Sequence, residues 1–398
     1  MKKILIVSHA LELGGAERSL IGLLDAIDKK EYKVDLFLLR HEGELLSFIP
    51  EGVNLLPEIP AYTVLARPMV QTLKEGHVIL TAARMYGKIK ADKYVKKCGH
   101  TDSGVPLEYS HKYTYRFMPE IQPDEEYDLA ISFLTPHYIV THKVHAKKKI
   151  AWIHTDYSKV QINEKSELEM WSAYDQIISI SDDVTKTFLK IFPTLSTKII
   201  KIENIIPEKL IISQSKEFIP VEEMPGDSIK ILSIGRYCTA KNFDNVPNIC
   251  KHLVKQGMNV RWYLIGFGPD EYLIKEKIKE EHMEKNVIML GKKSNPYPYI
   301  CRCDLYVQPS RYEGKCVSVK EAQMLRKPVV ITNYATANSQ VENGVDGIFV
   351  TMDNEKCAVE IARILKDGEK MKRMSQKCKE KNYSNVTEVK KIYSMCKC

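Results

Sequence analysis

Short, mostly apolar runs alternate with amphipathic segments along most of the chain. Residues 4–7, 34–39, 129–133, 150–153, 177–180 and 199–202 form one series, and 229–234, 260–265, 287–290, 304–307 and 329–331 a second. A run that is apolar at every position suits a strand covered on both faces, as in a parallel sheet. Amphipathic stretches such as 18–27 and 271–282 lie between the runs. Alternation of this kind predicts two doubly wound α/β domains.

The gap between the two series falls at 207–227, where Pro207, Pro220, Pro225 and Gly226 accompany the acids Glu222 and Glu223. That stretch is expected to be a linker with its flanks. It separates a first domain, 1–206, from a second, 207–380. The last twenty residues read as a polar, Lys-rich helix, so about 381–398 is expected to pack back onto the first domain. Residues 61–125 interrupt the first series. Within them Arg84, Lys88, Lys90, Lys93, Lys96 and Lys97 crowd together, with Asp92 as the only acid and with Ile79, Leu80, Ala83, Met85, Tyr86, Ile89 and Tyr94 interleaved. This is either a solvated helix face or an amphipathic basic helix that meets an anionic membrane surface through 84–97.

Composition adds limits. A net charge of +8 over 398 residues is mild; it fits an anionic substrate or membrane surface and gives no reason to expect nucleic acid. The ten cysteines include two CxC pairs, Cys301/Cys303 and Cys396/Cys398, and no CxxC repeat. No structural metal site is expected, and free thiols in a reducing cytosol are. The opening run Ile4-Leu5-Ile6-Val7 has no signal-peptide character, and no stretch reaches the roughly 18 apolar residues that span a bilayer. A cytoplasmic protein is expected, either free or peripheral on the inner face of the membrane.

Candidate chemistry sits where the apolar runs end. Leu13-Gly14-Gly15-Ala16-Glu17 follows the first run and leads into a helix whose N-terminal N–H groups suit an anion; a glycine turn with no ligand is the alternative. His154 follows 150–153, on the side where open α/β sheets bind ligands, though a lone histidine is often structural. The second domain opens with Ser233-Ile234-Gly235-Arg236 and then Lys241-Asn242. Two cations at that spacing suit a nucleotide diphosphate, or are ordinary surface charges. Gly266-Phe267-Gly268-Pro269 and Gly291-Lys292-Lys293 close the next two runs, where a base and ribose could lie against backbone. Pro309-Ser310-Arg311-Tyr312-Glu313-Gly314-Lys315-Cys316-Val317-Ser318-Val319-Lys320-Glu321-Ala322 combines a glycine loop, a helix start near Cys316 and two carboxylates that can each accept a pair of hydroxyls. Read blandly, Glu313 and Glu321 are two glutamates flanking a helix start.

Taken in order, Gly14-Gly15-Ala16-Glu17, Ser179-Ile180-Ser181, Asn204, Gly235-Arg236 with Lys241, and Pro309-Ser310 with Glu313-Gly314 and Glu321-Ala322 resemble the retaining glycosyltransferases of family 4. The resemblance covers nearly the whole chain except 61–125. It implies the GT-B fold, in which two Rossmann-like domains face each other across a cleft. It implies that Glu321 holds the donor ribose, Glu313 the transferred sugar, and Arg236 and Lys241 the diphosphate. Gly15 would lend a backbone N–H, and His154 would lie beside the sugar. Gly235, Gly266, Gly291, Lys292, Lys315, Cys316, Val317 and Ser318 would complete the donor site. Lys315 and Cys316 depart from the family's usual apolar and small residues, which bears on sugar identity. Lys315 could help choose the donor.

The implied reaction is retaining hexosyl transfer, with UDP as the expected nucleotide, onto a glycan or lipid-linked acceptor for cell-surface polysaccharide. No DxD motif is present, so neither a metal nor another cofactor is expected, and the nucleotide sugar is a substrate. A nucleotide-sugar epimerase of the same fold and a catalytically silent glycan-binding subunit are the competing readings. An NAD oxidoreductase fits less well, because neither glycine loop matches the dinucleotide fingerprint.

Overall fold

The computed structural model describes residues 1–101, 103–313 and 316–396. The chain divides into two compact units, Met1–Ile206 with Asn385–Cys398, and Pro207–Ser384.

Among the described residues, the first unit holds a seven-stranded parallel sheet. Its strands are β1 (Lys2–Ser8), β2 (Tyr32–Leu38), β3 (Val53–Leu55), β4 (Leu129–Ser132), β5 (Lys149–Ile153), β6 (Gln176–Ser179) and β7 (Ile199–Lys201), in the order β3-β2-β1-β4-β5-β6-β7. Ile6 lies opposite Leu36 on one side and Ile131 on the other. Ile4, Leu5 and Ile6 are all shut off from solvent, which is why the run is apolar on both faces. Burying each such side chain favours folding by about 1.5–3 kcal/mol. Strand order reverses between β1 and β4, so the crevice beyond their carboxyl ends is the natural place for a ligand.

The second unit repeats the plan with β8 (Ile229–Ile234), β9 (Val260–Ile265), β10 (Val287–Gly291), β11 (Leu305–Gln308), β12 (Val329–Thr332) and β13 (Ile348–Val350), ordered β10-β9-β8-β11-β12-β13 and parallel throughout. Here the reversal falls between β8 and β11.

Two expectations about chain organisation are corrected. The stretch 207–227 is not a loose linker. It contains the helix Glu208–Gln214 and the fully buried Met224, and Asn295 donates a 2.8 Å hydrogen bond to the Gln214 carbonyl. The last twenty residues are not one continuous helix. An irregular segment separates helix Gly368–Glu380 from the short helix Val389–Met395. Asn385 donates to the Asn204 carbonyl and accepts from the Ile206 N–H, and the Tyr393 ring stacks on Tyr32 with centroids 4.5 Å apart. The short edge strands Val53–Leu55 and Ile348–Val350 have no counterpart in the apolar runs, because three residues, most of them partly exposed, carry too little pattern.

Residues 61–125 fold as helices, chiefly Met69–Lys74, Val78–Cys98 and Val105–Thr114. The last two approach so closely at Gly87 that an added Cβ would lie 2.8 Å from the Tyr109 carbonyl oxygen. A tyrosine seam of Tyr86, Tyr94, Tyr109 and Tyr113 fills the contact. Arg84 does not belong to the exposed basic face expected for 84–97. Its guanidinium donates to the carbonyls of Val64 and Arg67 and ties the long helix to the preceding loop. Lys88, Lys90, Lys93, Lys96 and Lys97 are exposed.

Candidate functional site

The carboxyl ends of β8 and β11 bring the second unit's predicted residues together. β8 runs into Gly235, and the chain then makes a short helical turn, Thr239–Lys241. Lys241 folds back over Gly235 so tightly that a Cβ there would lie 2.9 Å from its Cε. Its ammonium meets the Glu313 carboxylate at 2.5 Å, with both side chains largely buried, and lies 3.6 Å from the Cys316 thiol. Burial works against the Lys241 charge, but Cys316 and Glu313 beside it raise its pKa above the ordinary lysine value. Burial also pushes the Cys316 thiol up, leaving it uncharged at neutral pH. Glu313 therefore supplies the countercharge.

Glu313 is fixed from its own side too. Ser310 donates to it at 2.6 Å, and Thr336 donates to its backbone carbonyl. Cys316 caps the helix Val317–Met324, with its backbone N–H bound to Gln340 and its thiol 3.2 Å from the Ser318 hydroxyl. Ser318 in turn reaches the Ile234 carbonyl at the end of β8. Val317 and Ser318 thus form the first turn of a helix that starts beside the Lys241–Glu313 pair, where outward N–H groups favour an anion. Glu321, one turn on, is buried and accepts from the Tyr297 hydroxyl at 2.9 Å. Lys315 lies outside the described residues.

The glycine loops lock backbone to backbone. Gly235 donates to the Ile265 carbonyl and Gly266 to the Gly291 carbonyl. Gly266 has φ +155°, and a Cβ there would lie 1.9 Å from the Gly235 carbonyl oxygen. No other residue fits that position. Lys292 is exposed, its ammonium 5.2 Å from the centre of the Phe267 ring. Arg236 directly follows Gly235; it is exposed and has no ion pair with a described residue.

Sequence reasoning missed the staple that holds this cluster. Arg311 forms a two-pronged ion pair with Asp244 at 2.9 and 2.6 Å and donates to the Thr239 carbonyl. Asn242, in a left-handed conformation with φ +61°, donates to the Pro309 carbonyl. These bonds join the loop carrying Lys241 to the loop carrying Glu313. Arg311 stood inside the motif, but nothing in the sequence paired it with an acid 67 positions away.

In the first unit, Gly15 is the exposed first residue of helix Gly15–Ala26. Ser19 of that helix donates to Asn204 at 2.8 Å. His154 follows β5, its ring 4.5 Å from Phe133. Burial pushes its pKa down to about 3, with a backbone contact to Phe133 opposing. Its Nε2 is buried without a hydrogen-bond partner among the described residues. Three further histidines, also missed, gather near the same edge. His9 follows β1 and is lowered to about 4 by burial and by Arg40. His111 lies 5.4 Å from His9, ring to ring. His137 follows β4, bonded through Nδ1 to the Ser132 hydroxyl at 2.7 Å. Burial holds both His111 and His137 well below the ordinary value. His9 Nε2, His111 Nδ1 and His137 Nε2 are each buried without a partner among the described residues. The imidazoles at this edge are held neutral among aromatic rings, with unused hydrogen-bonding capacity.

Two parallel sheets with this strand order, each carrying its polar cluster beyond the carboxyl ends, can be set beside known structures. The whole chain superposes on an Anabaena protein, Alr3699/HepE, solved in complex with UDP-glucose, with a TM-score of 0.65, 16% identity and full coverage of both chains. The fold is GT-B. Within this GT-B chain, residues 214–381 match the family described as glycosyl transferases group 1. That span contains every predicted donor-site residue except Gly15. Among curated proteins, an uncharacterized 41.2 kDa protein in a cps region of Klebsiella pneumoniae is 29% identical over 35% of this chain and 37% of its own length. An alpha-D-kanosaminyltransferase from Streptomyces kanamyceticus is 26% identical over 37% of this chain and 39% of its own. The match thus spans less than two-fifths of either relative. Among the described residues no group of three or more His, Cys, Asp or Glu side chains is placed to hold a metal, and no helix is long and apolar enough to cross a membrane.

Proposed function

We propose that the protein is a retaining glycosyltransferase. It moves a hexose or related sugar from a UDP-sugar to a glycan or lipid-linked acceptor in cell-surface polysaccharide synthesis. The observation that carries this reading is the buried Lys241–Glu313 pair beside the first turn of helix Val317–Met324, within the span that matches glycosyl transferases group 1. A nucleotide diphosphate needs cations and outward N–H groups, and its sugar needs hydroxyl acceptors. All of these lie at the carboxyl ends of β8 and β11.

An arriving diphosphate competes with Glu313 for the Lys241 ammonium and releases carboxylate lone pairs to the sugar hydroxyls. Glu321 accepts from the ribose. As the anomeric carbon–oxygen bond to the phosphate breaks, Lys241 and Arg236 offset the charge gathering on the leaving group. The acceptor oxygen bonds to the anomeric carbon from the same face, and its proton passes to the departing phosphate. No enzymic nucleophile enters this scheme, so its rate rests on positioning and charge stabilisation. The second unit supplies the donor site in this reading, and the first unit the acceptor site.

The test is a panel of nucleotide sugars. UDP release should rise when acceptor is added, and NMR of the product should show the donor's anomeric configuration. An inverted product would refute the retaining scheme, and absence of nucleotide-sugar turnover would refute the enzyme class.

A further inference from the structure

Helix Val78–Cys98 carries a stripe that changes character along its length. Ile79, Ala83, Tyr86, Lys90, Lys93 and Lys97 recur at alternating spacings of four and three, which places them on one face of a helix. The first three line an open-mouthed pocket of about 840 Å³ in the first unit, whose lining also includes Tyr115, Tyr138, Met170 and the Lys112–Glu169 ion pair. Ile79 and Tyr86 are 65% and 50% exposed at its rim. The Lys90 ammonium lies 5.3 Å from the centre of the Tyr86 ring, at the point where the apolar half of the stripe gives way to the cationic half. Lys90, Lys93 and Lys97 are exposed and make no ion pair with a described residue.

A pocket of this volume is ample for a drug-sized ligand. A purely apolar ligand would leave the three lysines without a role, and a free phosphate would leave the pocket without one. The arrangement has the polarity of a single-chain amphiphile with an anionic head. We propose that this pocket takes the hydrocarbon chain of a phosphate-bearing lipid, with its headgroup over Lys90, Lys93 and Lys97, and that such a lipid anchors the acceptor. The final clause rests on the glycosyltransferase reading; the lipid site does not. Arg116, which lies over the Tyr115 ring and also lines the pocket, adds a further cation.

The probe is dodecyl phosphate, titrated into the full-length protein below its micelle concentration and followed by calorimetry. Dodecanol tests the chain alone and butyl phosphate the head alone. Dodecyl phosphate should bind saturably and about tenfold or more tighter than either. Replacing Lys90, Lys93 and Lys97 together by Gln should weaken it about tenfold or more and leave dodecanol unchanged, since each cation near an anionic head contributes on its own. Ala82→Trp, at an exposed position on the pocket wall, and the pair Ile79→Asp with Tyr86→Asp should weaken both chain-bearing probes. UDP-glucose is titrated into the same samples. Its binding without any dodecyl phosphate binding overturns the lipid site alone. Lipid binding without UDP-glucose binding overturns the donor reading and keeps the site. Equal binding of dodecyl and butyl phosphate, indifference to all three variants, or self-association of the protein through the pocket would also overturn it.

Discussion

The two sheets have nearly the same strand order, yet their carboxyl ends are opposite in character. In the second unit that edge holds a buried ion pair, Lys241–Glu313, and a two-pronged one, Arg311–Asp244. In the first unit the corresponding edge holds neutral imidazoles, His9, His137 and His154, packed among Phe133, Trp152 and Trp171. The difference teaches what each edge can receive. A buried ammonium already paired with a carboxylate can exchange that partner for a diphosphate at little desolvation cost, because the site has been built for charge. An edge of uncharged rings with unpaired nitrogens favours a neutral, hydrogen-bonding group such as a sugar hydroxyl, and disfavours a second anion.

The comparison breaks most readily at Lys241. Lys241→Ala should lower the turnover rate about 10²-fold, and steady-state kinetics with a UDP-sugar would show it. Loss of the countercharge also leaves Glu313 buried and unpaired. His154→Gln, which keeps a neutral hydrogen-bonding side chain, should cost far less. Equal effects of the two substitutions would erase the contrast between the edges.

The neutral edge should reveal itself through acid sensitivity. His9 and His154 are held at about 4 and about 3, whereas an unfolded histidine titrates near 6.5. Between those values only the unfolded chain takes up the proton. The stability these groups confer is therefore complete above about pH 6.5, and falls by about 1.4 kcal/mol per pH unit for each as the pH drops toward 4. His111 and His137 act in the same direction. Glu167 works the other way, because burial lifts it to about 7, so its penalty shrinks as the pH falls below that. Urea unfolding at pH 7, 6 and 5 should show a net loss. A flat profile would mean that these imidazoles are solvated.

A smaller effect is expected at the staple. Arg311→Lys keeps the charge but not the fork, and should reduce kcat/KM about fivefold, which corresponds to about 1 kcal/mol. Asp244→Asn should do much the same, and the two should not add if they act as one unit. Full additivity would mean that the two residues act separately. The smallest effect is none at all: activity should survive EDTA, since the scheme places cationic side chains where other transferases use a metal. Loss of activity with rescue by Mg²⁺ or Mn²⁺ would put a divalent cation beside Lys241.

Much of this was legible in the sequence, and the reasons are local. β1, β8 and β9 are mostly apolar, interrupted only by residues such as Lys230, Ser233 and Arg261, and burial on both faces leaves a strong signal. Glu313, Cys316 and Glu321 could be placed because a strand, a glycine loop and a helix start follow each other within one stretch of chain. What was hidden depended on distant pairing. The Arg311–Asp244 fork, the Tyr297 bond to Glu321 and the meeting of His111 with His9 join residues from separate elements. Arg84 was misread for the same reason. Its charge is visible in sequence, but the two carbonyls that capture it are not. The break between Glu380 and Val389 was missed because the lysine-rich segments on either side look helical whether or not the backbone continues between them.

The central claim is that the second unit's charged edge binds a nucleotide sugar through Glu321 and Lys241. It is tested most directly by calorimetric titration of UDP-glucose into the wild-type protein and into Glu321→Gln, a substitution that can keep the Tyr297 hydrogen bond. The account predicts saturable binding to the wild type and about tenfold or greater weakening in the variant, the usual cost of removing the charge from a hydrogen-bonding carboxylate. Equal affinity for the two proteins, or no binding of UDP-glucose or any other nucleotide sugar to the wild type, would contradict it.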